Sequence, residues 1–328
     1  MKKVLVAVLA VVLLGGLGVA GVAWGLRPRM RPAPDRKVEA TPEKLVRGRY
    51  LAENVAACFH CHSQADKSLF GTPPKPGTVG GGGMCMGPED DFPGALCASN
   101  LTSDLETGLG QWTDGEIIRA IREGVSRDGR PLMAIMPYGF YREMSDEDVE
   151  AIVAYLRTLP PIRNSLTASR FDFPLNVAVR FMPEPLEQPV TAPARSDTVA
   201  YGGYLLTLGG CAECHTPNRG PLSGQRFAGG REFWLDNEVS VRSANLTPHE
   251  TGIGGLSREV FIGLFKRHAL PEARREVPWR LNTAMAWLSY GGMTEADVGA
   301  IYDYLKTLPP VDNAVTPWSL PGAAPATP

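Results

Sequence analysis

Two short stretches hold the residue types most able to do chemistry: Cys58–Phe59–His60–Cys61–His62 and Cys211–Ala212–Glu213–Cys214–His215. In each, two thiols three positions apart are followed at once by an imidazole. Thiols so spaced at the end of a helix can each add to one vinyl group of a haem. The next histidine then lies under the ring with a nitrogen aimed at iron. Zinc is the competing reading of a cysteine pair, but a zinc site needs four well-placed ligands, and the second half of the chain holds only Cys211 and Cys214. A dithiol redox pair leaves the histidine unexplained in both places. The pattern predicts two covalently bound haem c groups. Cys58, Cys61, Cys211 and Cys214 are the attachment points, and His62 and His215 are iron ligands.

A sixth ligand on the opposite face of each ring calls for a soft donor. Met136 and Met285 occupy equivalent places, each eight residues before a second methionine, Met144 or Met293. A thioether favours ferrous iron and raises the potential. Met133 is the rival in the first half, and Met144 and Met293 are expected to pack beside the last helix of each half.

These residues must be positioned by a repeated framework. The first half runs Gly48–Arg–Tyr–Leu, the first cysteine motif, Asn100–Leu–Thr, Met136–Pro–Tyr, Met144–Ser–Asp and Tyr155–Leu–Arg–Thr–Leu–Pro–Pro161. The second runs Gly202–Gly–Tyr–Leu, the second motif, Asn245–Leu–Thr, Met285–Ala–Trp, Met293–Thr–Glu and Tyr304–Leu–Lys–Thr–Leu–Pro–Pro310. The same landmarks in the same order indicate two copies of one domain. Ser145 with Asp148 reads as a capping box, and Val149, Ile152, Val153 and Leu156 follow at helical spacing until Pro160. Thr294 and Asp297 repeat that start, while Thr113 with Glu116 and Ser257 open a further helix in each copy. No run alternates as a strand would, so the expected fold is all-α.

The chain has 328 residues, enough for two domains, and a formal charge of −2, which argues against a nucleic-acid partner. Its 36 glycines and 29 prolines favour short helices and many loops. Lys2 and Lys3 precede an uncharged run from Val4 to Leu26, about 35 Å as a helix and long enough to cross a bilayer core of about 30 Å. The run reads as a membrane anchor or a signal segment. The basic residues after it outnumber those before it, which by the positive-inside tendency alone would leave the chain that follows in the cytoplasm. The expected organisation is an anchor or signal at 1–26 and a linker at 27–41. A first domain at 42–162 with a Gly/Pro-rich insert precedes a Pro-rich connector at 163–197 packed against the domains. A second domain at 198–312 and a tail at 313–328 complete the chain. The insert, residues 71–99, has no evident counterpart in the second copy, and its Cys85 and Cys97 are expected to form a disulfide. His60 and His268 are expected at the surface. Trp112, Trp234, Trp279 and Trp287 are candidates for haem crevices or core.

The order of glycine-bearing first helix, haem motif, Asn–Leu–Thr, Met–Pro–Tyr or Met–Ala–Trp, and closing Tyr–Leu helix resembles the class I cytochromes c. In particular, it is similar to the diheme, often membrane-anchored, bacterial forms. The likeness spans roughly residues 42–161 and 198–310. The resemblance implies all-α domains, His/Met-ligated iron and a first helix whose glycine, here Gly48 and Gly202, crosses the last helix closely near Tyr155 and Tyr304. It also implies a relay of single electrons between a donor and an acceptor protein, a dehydrogenase subunit among them. The haem domains would face the periplasm, tethered to the bacterial inner membrane, or free in the periplasm if the N-terminal segment is cleaved. The alternative is a diheme enzyme such as a peroxidase, which needs one displaceable sixth ligand; two filled axial sites favour the relay, with no catalytic residue.

Overall fold

The computed structural model describes residues 28–235 and 238–319. The expected anchor or signal at 1–26 lies outside them, and no helix among the described residues is long and apolar enough to cross a membrane. In the first copy, α1 (Pro42–Tyr50) is capped by Thr41, whose side chain accepts from the amide of Lys44. It runs through a π-helical turn, Leu51–Val55, toward α2 (Cys58–Cys61). Strands β1 (Cys85–Met86) and β2 (Gly94–Cys97) follow, then α3 (Asp114–Glu123), α4 (Tyr138–Tyr141) and α5 (Asp146–Leu156). Strand β3 (Arg170–Phe171) and α6 (Leu175–Ala178) lie in the connector. The second copy repeats the series as α7 (Thr198–Leu208), α8 (Cys211–His215), β4 (Glu232–Trp234) and β5 (Ser240–Arg242). It closes with α9 (Arg258–Lys266), α10 (Trp287–Tyr290), α11 (Glu295–Leu305) and β6 (Trp318–Ser319).

The all-α expectation is corrected by two three-stranded antiparallel sheets, ordered β1–β2–β3 and β4–β5–β6. Cys85 pairs with Cys97 and Gly94 with Phe171; Val241 pairs with both Phe233 and Trp318. These strands are two to four residues long, too short to show an alternating pattern against flanking loops. In each copy the chain leaves the last helix, turns back and adds the third strand to the hairpin.

The insert does have a counterpart. The amide of Gly82 donates to the carbonyl of His62 at 2.9 Å, and that of Gly229 to His215 at 2.8 Å. Likewise Leu101 donates to Gly80 and Leu246 to Phe227. The left-handed backbone at Gly80 (φ 76°) is matched by a non-glycine residue, Phe227 (φ 64°). The hairpins β1–β2 and β4–β5 are therefore equivalent. What the first copy has in addition is a longer loop, residues 64–77, which crosses to the second copy. There the amide of Phe70 donates to Arg275, that of Val277 to Ser68, and Leu69 bridges Glu276.

The first and last helices of each copy cross at glycine. A Cβ on Gly48 would lie 1.8 Å from the carbonyl oxygen of Ala151, and one on Gly202 1.8 Å from that of Ala300. The hydrogen atom of glycine is what lets α1 meet α5, and α7 meet α11. Val149, Ile152, Val153 and Leu156 of α5 are buried, as are Val298, Ile301 and Leu305 of α11. One continuous hydrophobic cluster joins them across both copies. Met144 and Met293 are buried in it beside these helices.

Candidate functional site

Each cysteine motif opens on a left-handed residue, Ala57 (φ 47°) before Cys58 and Gly210 (φ 63°) before Cys211. That kink ends the preceding helix and starts a new short one whose turn sets both thiols and the histidine. The short helix after each methionine pins the kink from the other side. The hydroxyl of Tyr141 donates to the carbonyl of Ala56 at 3.0 Å, and that of Tyr290 to Gly209 at 2.8 Å. Each tyrosine stands five residues after its methionine, so the methionine segment and the cysteine segment are tied together in both copies.

The histidines are held by backbone. Nδ1 of His62 lies 2.7 Å from the carbonyl oxygen of Ser99, and Nδ1 of His215 lies 2.7 Å from that of Ala244. A carbonyl can only accept, so the proton resides on Nδ1 and the lone pair of Nε2 is left for a metal. Burial pushes both imidazoles below their ordinary pKa, against the opposing effect of those carbonyls. Burial outweighs the carbonyls, and the net lowering suits neutral ligands. Burial also pushes the thiols of Cys58 and Cys211 up to about 12.

The repeated Asn–Leu–Thr supplies the carbonyls. The Asn100 side chain accepts from the amide and hydroxyl of Thr102 and donates to the carbonyl of Ile162. Asn245 does the same with Thr247 and Val311. Both asparagines are buried. They anchor the strand beneath the histidine to the Pro–Pro segment that ends the last helix, and the preceding residue, Ser99 or Ala244, presents its carbonyl to the imidazole. From the sequence, the asparagines are expected to form a turn or to hydrogen-bond near a haem edge. Sequence reading misses Ser99 and Ala244, whose side chains carry no signal because only their backbone acts.

All eight predicted site residues line one cavity of about 930 Å³. Cys58, Cys61, His62 and Met136 contribute from the first copy, and Cys211, Cys214, His215 and Met285 from the second. In both copies the methionine carbonyl accepts from the amide two residues on, at 2.8 Å. Met133 lines the same cavity. Phe171 of β3 and Trp318 of β6, each from the third strand of its sheet, both line its wall. Trp112 and Trp287 also line it, whereas Trp234 is exposed. His60, expected at the surface, is half-buried and faces the cavity. His268 is wedged between Phe70 of the first copy (centroids 5.4 Å apart) and Trp287 of the second (4.6 Å). Among the described residues no cluster of three or more His, Cys, Asp or Glu side chains could hold a metal ion by itself. The donor chemistry, paired thiols with one neutral imidazole and one thioether, in a large cavity walled by aromatic rings, fits a haem.

No family model matches the chain. It is 30% identical over 229 residues to a diheme cytochrome c-type protein of Cereibacter sphaeroides, covering 67% of this chain and 71% of that protein. It is 30% identical over 317 residues to a nicotinate dehydrogenase subunit of Pseudomonas putida, covering 90% of this chain and 23% of that relative. The fructose dehydrogenase cytochrome subunit of Gluconobacter japonicus is 27% identical over 298 residues, 87% of this chain and 57% of that relative. The chain thus spans less than two thirds of the length of these two dehydrogenase subunits.

Proposed function

Since the chain belongs to the diheme c-type cytochromes, we propose that it relays single electrons between a dehydrogenase and a downstream acceptor protein, through two haem c groups. Supporting the dehydrogenase as partner are relatives named as cytochrome subunits of such enzymes. When bound, haem supplies a one-electron ferrous/ferric couple. The thiols of Cys58, Cys61, Cys211 and Cys214 hold it as thioethers. His62 and His215 would bind iron through Nε2 while Nδ1–H donates to the Ser99 and Ala244 carbonyls. Met136 and Met285 would supply a thioether ligand to each haem iron, which suits electron relay over binding of a substrate. Phe171 and Trp318 keep water from the cavity wall. The haem domains work on the periplasmic side, a compartment that suits the Cys85–Cys97 disulfide.

One observation carries this reading: both complete donor sets line a single continuous cavity, so an electron need not leave the molecule to pass between them. Redox titration of the holoprotein with haem quantification tests it. The expected result is two haems per chain, two one-electron waves and low-spin iron. A weak sulfur-to-iron band at the red end should be halved by Met136→Ala or by Met285→Ala. High-spin iron in the unaltered protein, with turnover of peroxide, would overturn it.

A further inference from the structure

Met136 follows the end of α3 by 13 positions, whereas Met285 follows the end of α9 by 19. The longer segment carries Arg267, Arg274, Arg275 and Arg280, all exposed, against only two acidic residues, Glu272 and Glu276. None of the four arginines makes an ion pair among the described residues. Between them stand large apolar side chains that face solvent: Leu270 (54% exposed), Leu281 (48%) and Trp279 (36%). The corresponding place in the first copy is sparser, with two exposed arginines, Arg127 and Arg130, and one exposed large apolar side chain, Ile135.

This segment is braced. The loop from the first copy pairs with it through Ser68–Phe70, and Phe70 lies under the guanidinium of Arg275, 4.8 Å from its centre. Asn282, fully buried, donates to the carbonyl of Leu69 and accepts from the amide of Gly71, both at 2.9 Å. Lys67 lies 5.1 Å over the ring of Trp279. The segment also borders the second site, since Arg267 lines the cavity with Met285 and Trp287.

We propose that Arg274, Arg275 and Arg280, around Trp279 and Leu281, form the docking surface for an acidic redox protein that exchanges electrons at the second haem site. The proposal rests on the relay reading. Exposed arginine and tryptophan are the side chains that anchor protein interfaces, and unpaired positive charge steers an acidic partner into register. An anionic membrane would meet the same charges, but it cannot accept an electron at the cavity that the segment borders.

The test uses the holoprotein and reduced flavodoxin, an acidic one-electron carrier, as probe. Affinity by calorimetry and the second-order rate of haem reduction are both read as salt is raised. Arg274→Glu/Arg275→Glu/Arg280→Glu should weaken both at least about tenfold at low ionic strength, the difference shrinking as salt screens the charges. Trp279→Ala should weaken affinity at every salt concentration. Lys75→Glu/Arg163→Glu, a charge change on the first copy, should have little effect. The proposal is overturned if wild type does not bind the probe, or if the triple variant binds as wild type does. It also falls if the first-copy control loses as much, or if the triple variant loses only binding to phosphatidylglycerol vesicles. Reduction by dithionite is measured first: a chain that takes up no electrons fails the relay reading, whereas a redox-active chain with an unaffected triple variant fails the docking surface alone.

Discussion

The hydroxyl of Tyr50, on the first helix of the first copy, donates to a carboxylate oxygen of Asp297, at the start of the last helix of the second copy, at 2.5 Å. The same hydroxyl accepts from the amide of Thr294, the N-cap of that helix. Tyr204 returns the arrangement, donating to Asp148 at 2.7 Å and accepting from the amide of Ser145 at 3.1 Å. Each copy therefore completes the N-terminus of the other's last helix, and that helix crosses the one leading into the haem motif. The two copies are built as one unit.

Phenylalanine at either position removes a donor from a buried carboxylate. The loss of such a hydrogen bond costs about 1–3 kcal/mol. Asp148 also has a bidentate partner in Arg47, with both contacts at 2.8 Å. Tyr50→Phe should therefore destabilise more than Tyr204→Phe in urea unfolding of the holoprotein. Equal stability of both variants and wild type would show that the cross-caps do not hold the copies together.

Gly48→Ala and Gly202→Ala place a methyl group against a carbonyl oxygen that only a backbone shift can move. Overpacking of this kind costs about 1–3 kcal/mol or more. Both variants should lower the unfolding midpoint and the yield of haem-loaded protein. Gly139→Ala, whose Cβ would meet nothing within 4 Å, serves as the comparison and should change little.

The disulfide between Cys85 and Cys97 closes a loop of 12 positions on the edge of the first sheet. Closing a loop of that length contributes about 2–3 kcal/mol. Reducing agent should lower the thermal midpoint of wild type and leave that of Cys85→Ser/Cys97→Ser unchanged. Haem content should survive reduction, because the haem-attaching sulfurs are separate from this pair.

Asn282→Ala would leave the amide of Gly71 and the carbonyl of Leu69 without their buried partner. We expect a loss of about 1–3 kcal/mol per unsatisfied group, together with faster proteolytic cleavage within residues 64–77. Protection equal to that of wild type would mean that backbone pairing with residues 275–277 and the stacking of Phe70 hold the loop without Asn282.

The candidate donors stand out in the sequence because their chemistry is local. A thiol, an imidazole and a thioether each declare themselves by residue type, and the repeat singles out Met136 and Met285 among the ten methionines. Helices α3, α5 and α11 were legible from caps and periodicity that lie within a dozen residues. Strands β3 and β6 were not, since each is two residues whose partners lie some seventy or eighty positions earlier in the chain. Asp148 illustrates the divide within one residue: sequence places it in a capping box, but its buried carboxylate is turned away from its own cap, to Arg47 and Tyr204.

By itself, then, the sequence determined that there are two copies, which residues are the candidates for binding a haem iron and where the main helices begin. These depend on covalent order and on contacts within a few turns. Only the tertiary structure decided that the two donor sets share a cavity, that the carbonyls of Ser99 and Ala244 orient the histidines, and that the loop at 64–77 braces the basic segment before Met285. Those relationships join residues far apart in the chain through backbone groups and shape, which residue type does not encode.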